Sequence, residues 1–538
     1  MLLFLSLAVA LAGSAPPPPN ILLLLADDVS MDELDLTLMP NLRERVVAQG
    51  VSLANAVAAT PLCGPSRASL LSGRYAHNNG YRDDDDWPSM ARWLAIQNDT
   101  LGTWLTAAGY YTAYSGKYIN GLEVEVPGGW RHWGGFFGAL GTYNYRNSTP
   151  YNVTFAPDGV TQTSPITWTA MEGVHQADYL GQAAVERMRA ARAEARPFFL
   201  HLAPTMAHFG TCDGPHLDLA LYADTDPFWE LDLALRHGCT NASSNQGCRL
   251  AMSPCVSART AGAAGARANP RTAAWNASAS GELPLEMARP PLTAFEAQRE
   301  DVGYRNRTAA LADLDDVLGV ALDGIAALGL EDSTLVVFTS DNGWHAGAHR
   351  LPMGKEHPYD TDVRIPMYLR GPGVARGATL LHPASLVDLA ATLVEVAGAE
   401  PRARGGPALD GLSFAAALGG AQAPSAWRNF SYSEHFGGRN SWAHVRQPLS
   451  ASAGGSAASA RTSFTRWCTG QNEVYDLAGD PLQLVNLAGV AGRGSEVERS
   501  ALPLALALLA CSGAECSAPA LQPAGGSAAD VKCYNTTH

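Results

Sequence analysis

Along the chain, short runs of uninterrupted apolar residues recur, each ending abruptly in polar or charged positions. Asn20 to Ala26, NILLLLA, has no alternation at all, which is the pattern of a strand buried on both faces in a parallel sheet. It stops at Asp27 and Asp28. Pro197 to His208, PFFLHLAPTMAH, reads the same way, with His201 inside the strand and His208 in the loop beyond it. The segment from Ser333, STLVVFTSDNG, is a third such strand and ends in Asp341 and Asn342. Gly109 to Asn120, GYYTAYSGKYIN, reads as a short strand followed by a loop carrying Lys117.

Other stretches change period. From Asn306 onward Leu311, Leu314, Leu318, Leu322 and Ile325 fall on one helical stripe, a core-facing surface rather than a binding box. Asp388 to Ala397 reads as an amphipathic helix. Strands alternating with helices predict an α/β fold. Acids just past the carboxyl ends of central strands lie where open α/β sheets bind ligands. If the strands ending in Asp27-Asp28 and Asp341-Asn342 are neighbours, their ends converge. Three carboxylates and an amide that close repel one another unless a cation intervenes. Hard oxygen donors select Ca²⁺ or Mg²⁺ over zinc, and one further substrate oxygen suits Ca²⁺.

The stretch Pro61 to Gly73, PLCGPSRASLLSG, predicts a helix with Pro65 in its first turn and Gly73 at its stop. Cys63 then sits at the helix N-terminus, where free N–H groups and the dipole favour an anion. Arg67, four residues on, can reach back over the same end.

Composition narrows the class. At 538 residues, 46% apolar, the chain supports one large α/β domain with a smaller one appended. A net charge of −14 argues against nucleic acid as a partner and requires any anion pocket to be locally basic. Residues 1–15 read as a cleaved signal peptide, set off by Pro16 to Pro19, and no later apolar run is long enough for a transmembrane segment. The expected locations are the secretory pathway and an extracellular, cell-wall or lysosome-like compartment. Sequons at Asn98, Asn147, Asn152, Asn241, Asn276, Asn306, Asn429 and Asn535 suit that route. Of nine cysteines, eight remain if Cys63 is set aside. They fall into a middle group (Cys212, Cys239, Cys248, Cys255) and a C-terminal group (Cys468, Cys511, Cys516, Cys533), each with three possible pairings.

Cys63, Pro65, Ser66 and Arg67, followed by ASLLSGRYAHNNG, resemble the C-x-P-S-R signature of the type I sulfatases. Further motifs follow in family order: Asp27-Asp28, Gly116-Lys117-Tyr118, the P-F-F strand before His208, and Asp341-Asn342-Gly343 with Lys355 beyond. The resemblance implies an alkaline-phosphatase-like fold, a large mixed, mostly parallel sheet between helices with a smaller C-terminal α+β subdomain. It assigns residues 16–404 to the catalytic domain, 209–300 to a disulfide-tied insertion, 405–512 to the C-terminal subdomain and 513–538 to a tail. Residues 448–460 and the tail read as flexible.

The family's chemistry is sulfate ester hydrolysis by a formylglycine made from the cysteine by a formylglycine-generating enzyme. Carried over, one Ca²⁺ is held by Asp27, Asp28, Asp341 and Asn342 with modified Cys63 facing it. Arg67, Lys117 and Lys355 bind sulfate, and His208 or a lysine protonates the leaving alcohol. His345 and His349 are weaker candidates. Ile119 stands where many sulfatases have histidine, a departure shared with the glucosamine 6-sulfatase and extracellular heparan sulfatase branch. The implied substrates are sulfated sugars, glycans or aryl sulfates. Two alternatives are a phosphatase or phosphodiesterase on the same scaffold, which would use Ser or Thr and several His, and a non-catalytic glycan-binding protein, which would need no converted Cys63.

Overall fold

The computed structural model describes residues 17–84, 86–120, 127–136, 153–156, 159–161, 176–208, 267–284, 287–401, 409–420, 427–448, 461–517 and 530–533. The expected signal peptide, the middle group of cysteines and the segment 449–460 lie outside them.

Ten strands form the main sheet: β1 (Asn20–Ala26), β2 (Val51–Val57), β3 (Tyr111–Lys117), β4 (His132–Phe136), β5 (Val153–Ala156), β6 (Gly159–Thr161), β7 (Phe198–Ala203), β8 (Thr334–Ser340), β9 (Met367–Arg370) and β10 (Ala378–Ser385). Their spatial order is β10-β2-β9-β8-β1-β7-β3-β4-β5-β6. Strands β8, β1, β7, β3 and β4 are mutually parallel, and β10 is parallel to β2. β9 runs against both β2 and β8, and the β4–β5 and β5–β6 pairings are antiparallel. The sheet is thus mixed and mostly parallel, as expected.

The unbroken apolar runs follow from burial on both faces. In β1, Ile21, Leu23 and Leu25 enter one core with Trp93, Trp104 and Leu389. Leu22 and Leu24 enter the other with Leu180, Leu311, Leu314, Leu318, Leu322 and Ile325. Helices therefore cover both faces, and the predicted leucine stripe is core throughout.

The helices that matter for the site are α1 (Cys63–Ser72), α2 (Gln176–Ala193), α3 (Ala294–Ala327), α4 (Leu386–Val396) and α5 (Arg493–Ala510). α3 begins well before Asn306, inside the stretch read as insertion. A capping box between Thr293 and Glu296 starts it. Its first turns lie at the surface, with Ala294 and Gln298 exposed, so no apolar stripe announces them.

The C-terminal region forms a second sheet of β11 (Ser431–His435), β12 (Trp442–Pro448), β13 (Arg461–Trp467) and β14 (Asn472–Asp476), antiparallel in chain order. α5 packs on it through Val497, Ala501, Ala505 and Leu508. Of the stretch expected as a flexible tail, residues 513–517 and 530–533 are described, and these are tied down. Gly513–Ser517 forms a 3-10 turn, and disulfides join Cys511 to Cys516 and Cys468 to Cys533. Val531 is buried, and Asp530 pairs with Arg466 at 2.7 Å. Covalent ties override a composition that reads as linker. No helix among the described residues is long and apolar enough to cross a membrane.

Candidate active site

β1 and β8 are paired from Asn20↔Thr334 to Ala26↔Ser340. Their next residues, Asp27-Asp28 and Asp341-Asn342, therefore emerge together, and all four are fully buried. Asp28 takes a left-handed backbone with φ 63, a conformation a short acidic residue tolerates better than most. Its N–H donates to Asp341 Oδ1 at 3.0 Å, as does the N–H of Asn342 at 2.8 Å.

Cys63 is the first residue of α1, after extended Leu62, and Gly73 closes the helix at φ 63. The reading of Pro65 and Gly73 as start and stop therefore stands. Cys63 is the free cysteine among the described residues. Its Sγ lies 3.8 Å from Asp27 Oδ1 and 3.9 Å from Asp28 Oδ1. Beside it, a Cβ on Gly64 would lie 1.9 Å from Asp84 Oδ1, so only glycine fits under that carboxylate.

Three cations reach this point. Lys117, the last residue of β3 rather than a loop residue, donates to Asp27 Oδ2 at 2.8 Å and Oδ1 at 3.1 Å. Lys355 Nζ contacts Asp28 Oδ1 and lies 2.6 Å from Cys63 Sγ. Arg67 donates through Nε to Asp341 Oδ2 at 2.9 Å and through Nη1 to the Lys117 carbonyl at 2.8 Å. His208 Nε2 lies 3.6 Å from Asp28 Oδ2. All the candidates carried in the sequence reading converge except His345 and His349. His345 turns to Asp362, with Nδ1 at 2.9 Å from both carboxylate oxygens, and His349 stacks on Tyr359 at 4.0 Å. Ile119 is buried in the core, as is His201, against Tyr114.

Burial dominates the electrostatics. It opposes ionisation of Asp27 and Asp28, yet Lys117 beside the first and Lys355 beside the second hold both below the usual carboxylate range. Burial pushes the Cys63 thiol up to about 12, against the pull of the two lysines. Burial, then Lys117, lowers His208 to about 4. Asp341 is raised, by burial more than by its two acidic neighbours, with Arg67 offsetting part of the shift.

Two buried oxygens here have no hydrogen-bond partner, Asp28 Oδ2 and Asn342 Oδ1. One atom each from Asp27, Asp28, Cys63 and His208 lie within 4.8 Å of one another. Ligands across a calcium ion, at about 2.3–2.6 Å each, span about that distance. Beside Cys63 and His208, the oxygens of Asp27, Asp28 and Asn342, two of them without a hydrogen-bond partner, fit a hard divalent cation, whereas Asp341 stands outside that cluster with its oxygens on Arg67 and two backbone N–H groups.

Residues the sequence reading missed surround this centre. Asp84 accepts from Gly64 N at 3.3 Å and Asn120 Nδ2 at 2.7 Å. Arg307 on α3 binds Glu33 and donates to the carbonyls of Asp28 and Ala207. The run of acids at Asp83 to Asp86 was a visible signal for Asp84, whereas Arg307 is one of several arginines on its helix.

The family model for sulfatases matches residues 19–399. An arylsulfatase of Volvox carteri is 28% identical over 520 residues, 89% of this chain and 72% of that protein. The human N-acetylglucosamine-6-sulfatase is 25% identical over 543 residues, 93% of this chain and 86% of that protein. A solved structure in complex with its substrate D-glucosamine-2-N,6-O-disulfate superposes with a TM-score of 0.60 at 19% identity, covering 92% of this chain and 97% of that one.

Proposed function

The chain belongs to the sulfatase family and hydrolyses sulfate esters, and from that premise we propose a formylglycine- and calcium-dependent sulfatase acting on sulfated sugars. The observation that carries the reading is the meeting of Cys63, at a helix N-terminus, with the buried carboxylates of Asp27 and Asp28 and the two lysines paired to them.

Asp27, Asp28, Asp341 and Asn342 would hold the ion, with position 63 facing it. Calcium there supplies positive charge beside position 63, and the hydrated aldehyde supplies the attacking oxygen. Lys117 and Lys355 pair with the carboxylates of Asp27 and Asp28; where those acids held the metal, the ammonium groups would be left to bind the sulfate oxygens. Arg67, expected as a sulfate-binding group, has Nε and Nη2 on Asp341 and Nη1 on the Lys117 carbonyl, so it would orient Asp341 and add positive charge behind the sulfate. One of the lysines, which stay protonated, gives the proton to the leaving alcohol, or His208 does so in its imidazolium form, which its lowering to about 4 confines to acidic conditions. A phosphatase of this scaffold would surround its ions with several histidines; in this cluster the described histidine is His208.

Likeness to the N-acetylglucosamine-6-sulfatase and to the glucosamine-disulfate complex supports a sugar 6-sulfate as substrate, with aryl sulfates cleaved as well. Relatives in Caenorhabditis elegans and Drosophila melanogaster that are named as homologues of an extracellular sulfatase support a secretory-pathway destination. The test is peptide mass spectrometry across Cys63 on protein from a secreting host, followed by a panel of sulfated sugars and aryl sulfates. An aldehyde at position 63 with release of sulfate is expected. Intact cysteine, in a host that converts other sulfatases, would turn the reading toward a non-catalytic glycan-binding protein.

A further inference from the structure

Asp362 has no part in the site described so far, yet it is fully buried and joins two segments of that site. Its carboxylate accepts hydrogen bonds from Nδ1 of His345, from the His357 N–H at 2.9 Å and from Thr361 Oγ1 at 2.9 Å. His357 in turn places Nδ1 3.0 Å from the carbonyl of Lys355. A second hold is the reciprocal backbone pair between His345 and Gly354, at 2.8 and 3.1 Å.

Between these anchors Glu356 adopts φ 82, a region that strains a residue with a Cβ and persists only where surroundings over-determine it. The surroundings do so here: the Glu356 carbonyl also accepts from Trp442 Nε1 at 3.0 Å and Asn440 Nδ2 at 3.2 Å. Lys355, one residue earlier, is thereby held with its ammonium at Cys63.

The backbone of the same residue serves the other side. The Asp362 carbonyl accepts from Gly343 N at 2.7 Å, and the Thr361 carbonyl from Trp344 N at 2.8 Å. Gly343 follows Asn342 directly, and a Cβ there would lie 2.1 Å from the Thr361 carbonyl oxygen. One residue therefore ties the turn bearing Asp341 and Asn342 to the segment bearing Lys355.

We propose that Asp362 is a positioning residue, setting where the Lys355 ammonium stands relative to Cys63 and the Asp341-Asn342 turn. The inference rests on the reading of Lys355 as a sulfate-binding group. A charge-neutral residue at 362 would loosen the grip on His357, let Glu356 relax and displace the ammonium. Misplacement of a catalytic group by about 1 Å can cost about a hundredfold.

The test uses the calcium-loaded, converted full chain as wild type, Asp362→Asn, Lys355→Ala and the double variant. Binding of inorganic sulfate is followed by calorimetry, turnover of a chromogenic aryl sulfate by steady-state kinetics, and calcium content by elemental analysis. Expected for Asp362→Asn are unchanged calcium, sulfate affinity lower by about tenfold, and kcat/KM lower by about a hundredfold. The double variant should be no worse than Lys355→Ala alone, because the two residues act as a unit. Losses that add would overturn the inference while leaving Lys355 in its role. Unchanged sulfate affinity in Lys355→Ala would overturn the reading of Lys355 itself and the inference with it. Should Asp362→Asn not fold, His357→Ala, which cuts the link to the Lys355 carbonyl, must show the same non-additivity with Lys355→Ala.

Discussion

Ala26 and Ser340 face each other at the end of a parallel strand pair, and this one register places two acids from one strand beside an acid and an amide from the other. A shift by one residue would turn Asp27 and Asp341 to opposite faces.

The register makes Asp341 a shared element, bridged by Arg67 on one oxygen and two backbone N–H groups on the other. Asp341→Asn keeps that shape and removes the charge. Calcium content is expected to fall from one ion toward none, with kcat/KM lower by about 10²–10³-fold, since a metal contributes several kcal/mol at about 1.4 kcal/mol per decade. Elemental analysis and thermal scans with and without a chelator check this. Full calcium in an inactive variant would remove Asp341 from the ligand set.

Lys117 and Lys355 approach different carboxylates, Asp27 and Asp28, from separate strands and loops. Both stay protonated, since the adjacent carboxylates more than offset the burial that opposes their charge. Each change to Ala should lower kcat/KM by about 10²–10³-fold, the usual cost of losing one preorganised donor. Arginine should restore little, because its planar fork does not replace a point charge in so tight a site. Steady-state rates on an aryl sulfate, with melting temperatures as control, decide the matter. A loss confined to KM would make the lysine a uniform binder only.

The strands that carry the site, and the meeting of their acidic ends, were legible as continuous apolar runs, whereas His208, Lys117 and Lys355 were singled out by the resemblance to the sulfatase motifs. Asp27 and Asp341 sit just past the end of such a run and Cys63 at a helix start, while His208 lies five residues beyond the end of β7. Asp362 and Arg307 were not legible in the same way. Their partners, His357 and Glu33, are set by tertiary contacts rather than by period or motif. The start of α3 at Ala294 escaped because its first turns face solvent, and the tethering of residues 511–517 and 530–533 escaped because disulfide pairing cannot be read from composition.

The two domains meet at a buried pair, His77 Nδ1 to Glu434 Oε2 at 2.8 Å. Burial works against a charged His77, but Glu434 outweighs it and raises the histidine above 6.5. For Glu434, burial opposes the charge and His77 outweighs it, holding the acid below 4.5. The histidine's share of stability is full below pH 6.5 and is lost as pH rises through its folded-state value. The acid's share is full above pH 4.5 and is lost as pH falls through its own. His77→Gln should therefore destabilise most between these limits, by about 3–5 kcal/mol as for other broken buried pairs, and less at pH 9. Denaturant unfolding at pH 5.5 and pH 9 measures it; a pH-independent difference would mean that packing, not charge, joins the two domains here.

The bond from Cys468 to Cys533 closes a loop with a sequence separation of 65 and fastens residues 530–533 to the end of β13. Chain-entropy arguments put the contribution of such a loop at about 4 kcal/mol, mostly through the unfolded state. Cys533→Ser should lower the free energy of unfolding by up to that amount. It should also free Asp530 from Arg466 and Val531 from its apolar seat, so that a protease cleaves the C-terminal segment first. Cys511→Ser opens a far shorter loop, with a separation of 5, and should cost less by the same entropic argument. Limited proteolysis with mass mapping and denaturant unfolding distinguish the two. Equal losses for both variants would show that the tail is held by its packing rather than by the length of chain each disulfide closes.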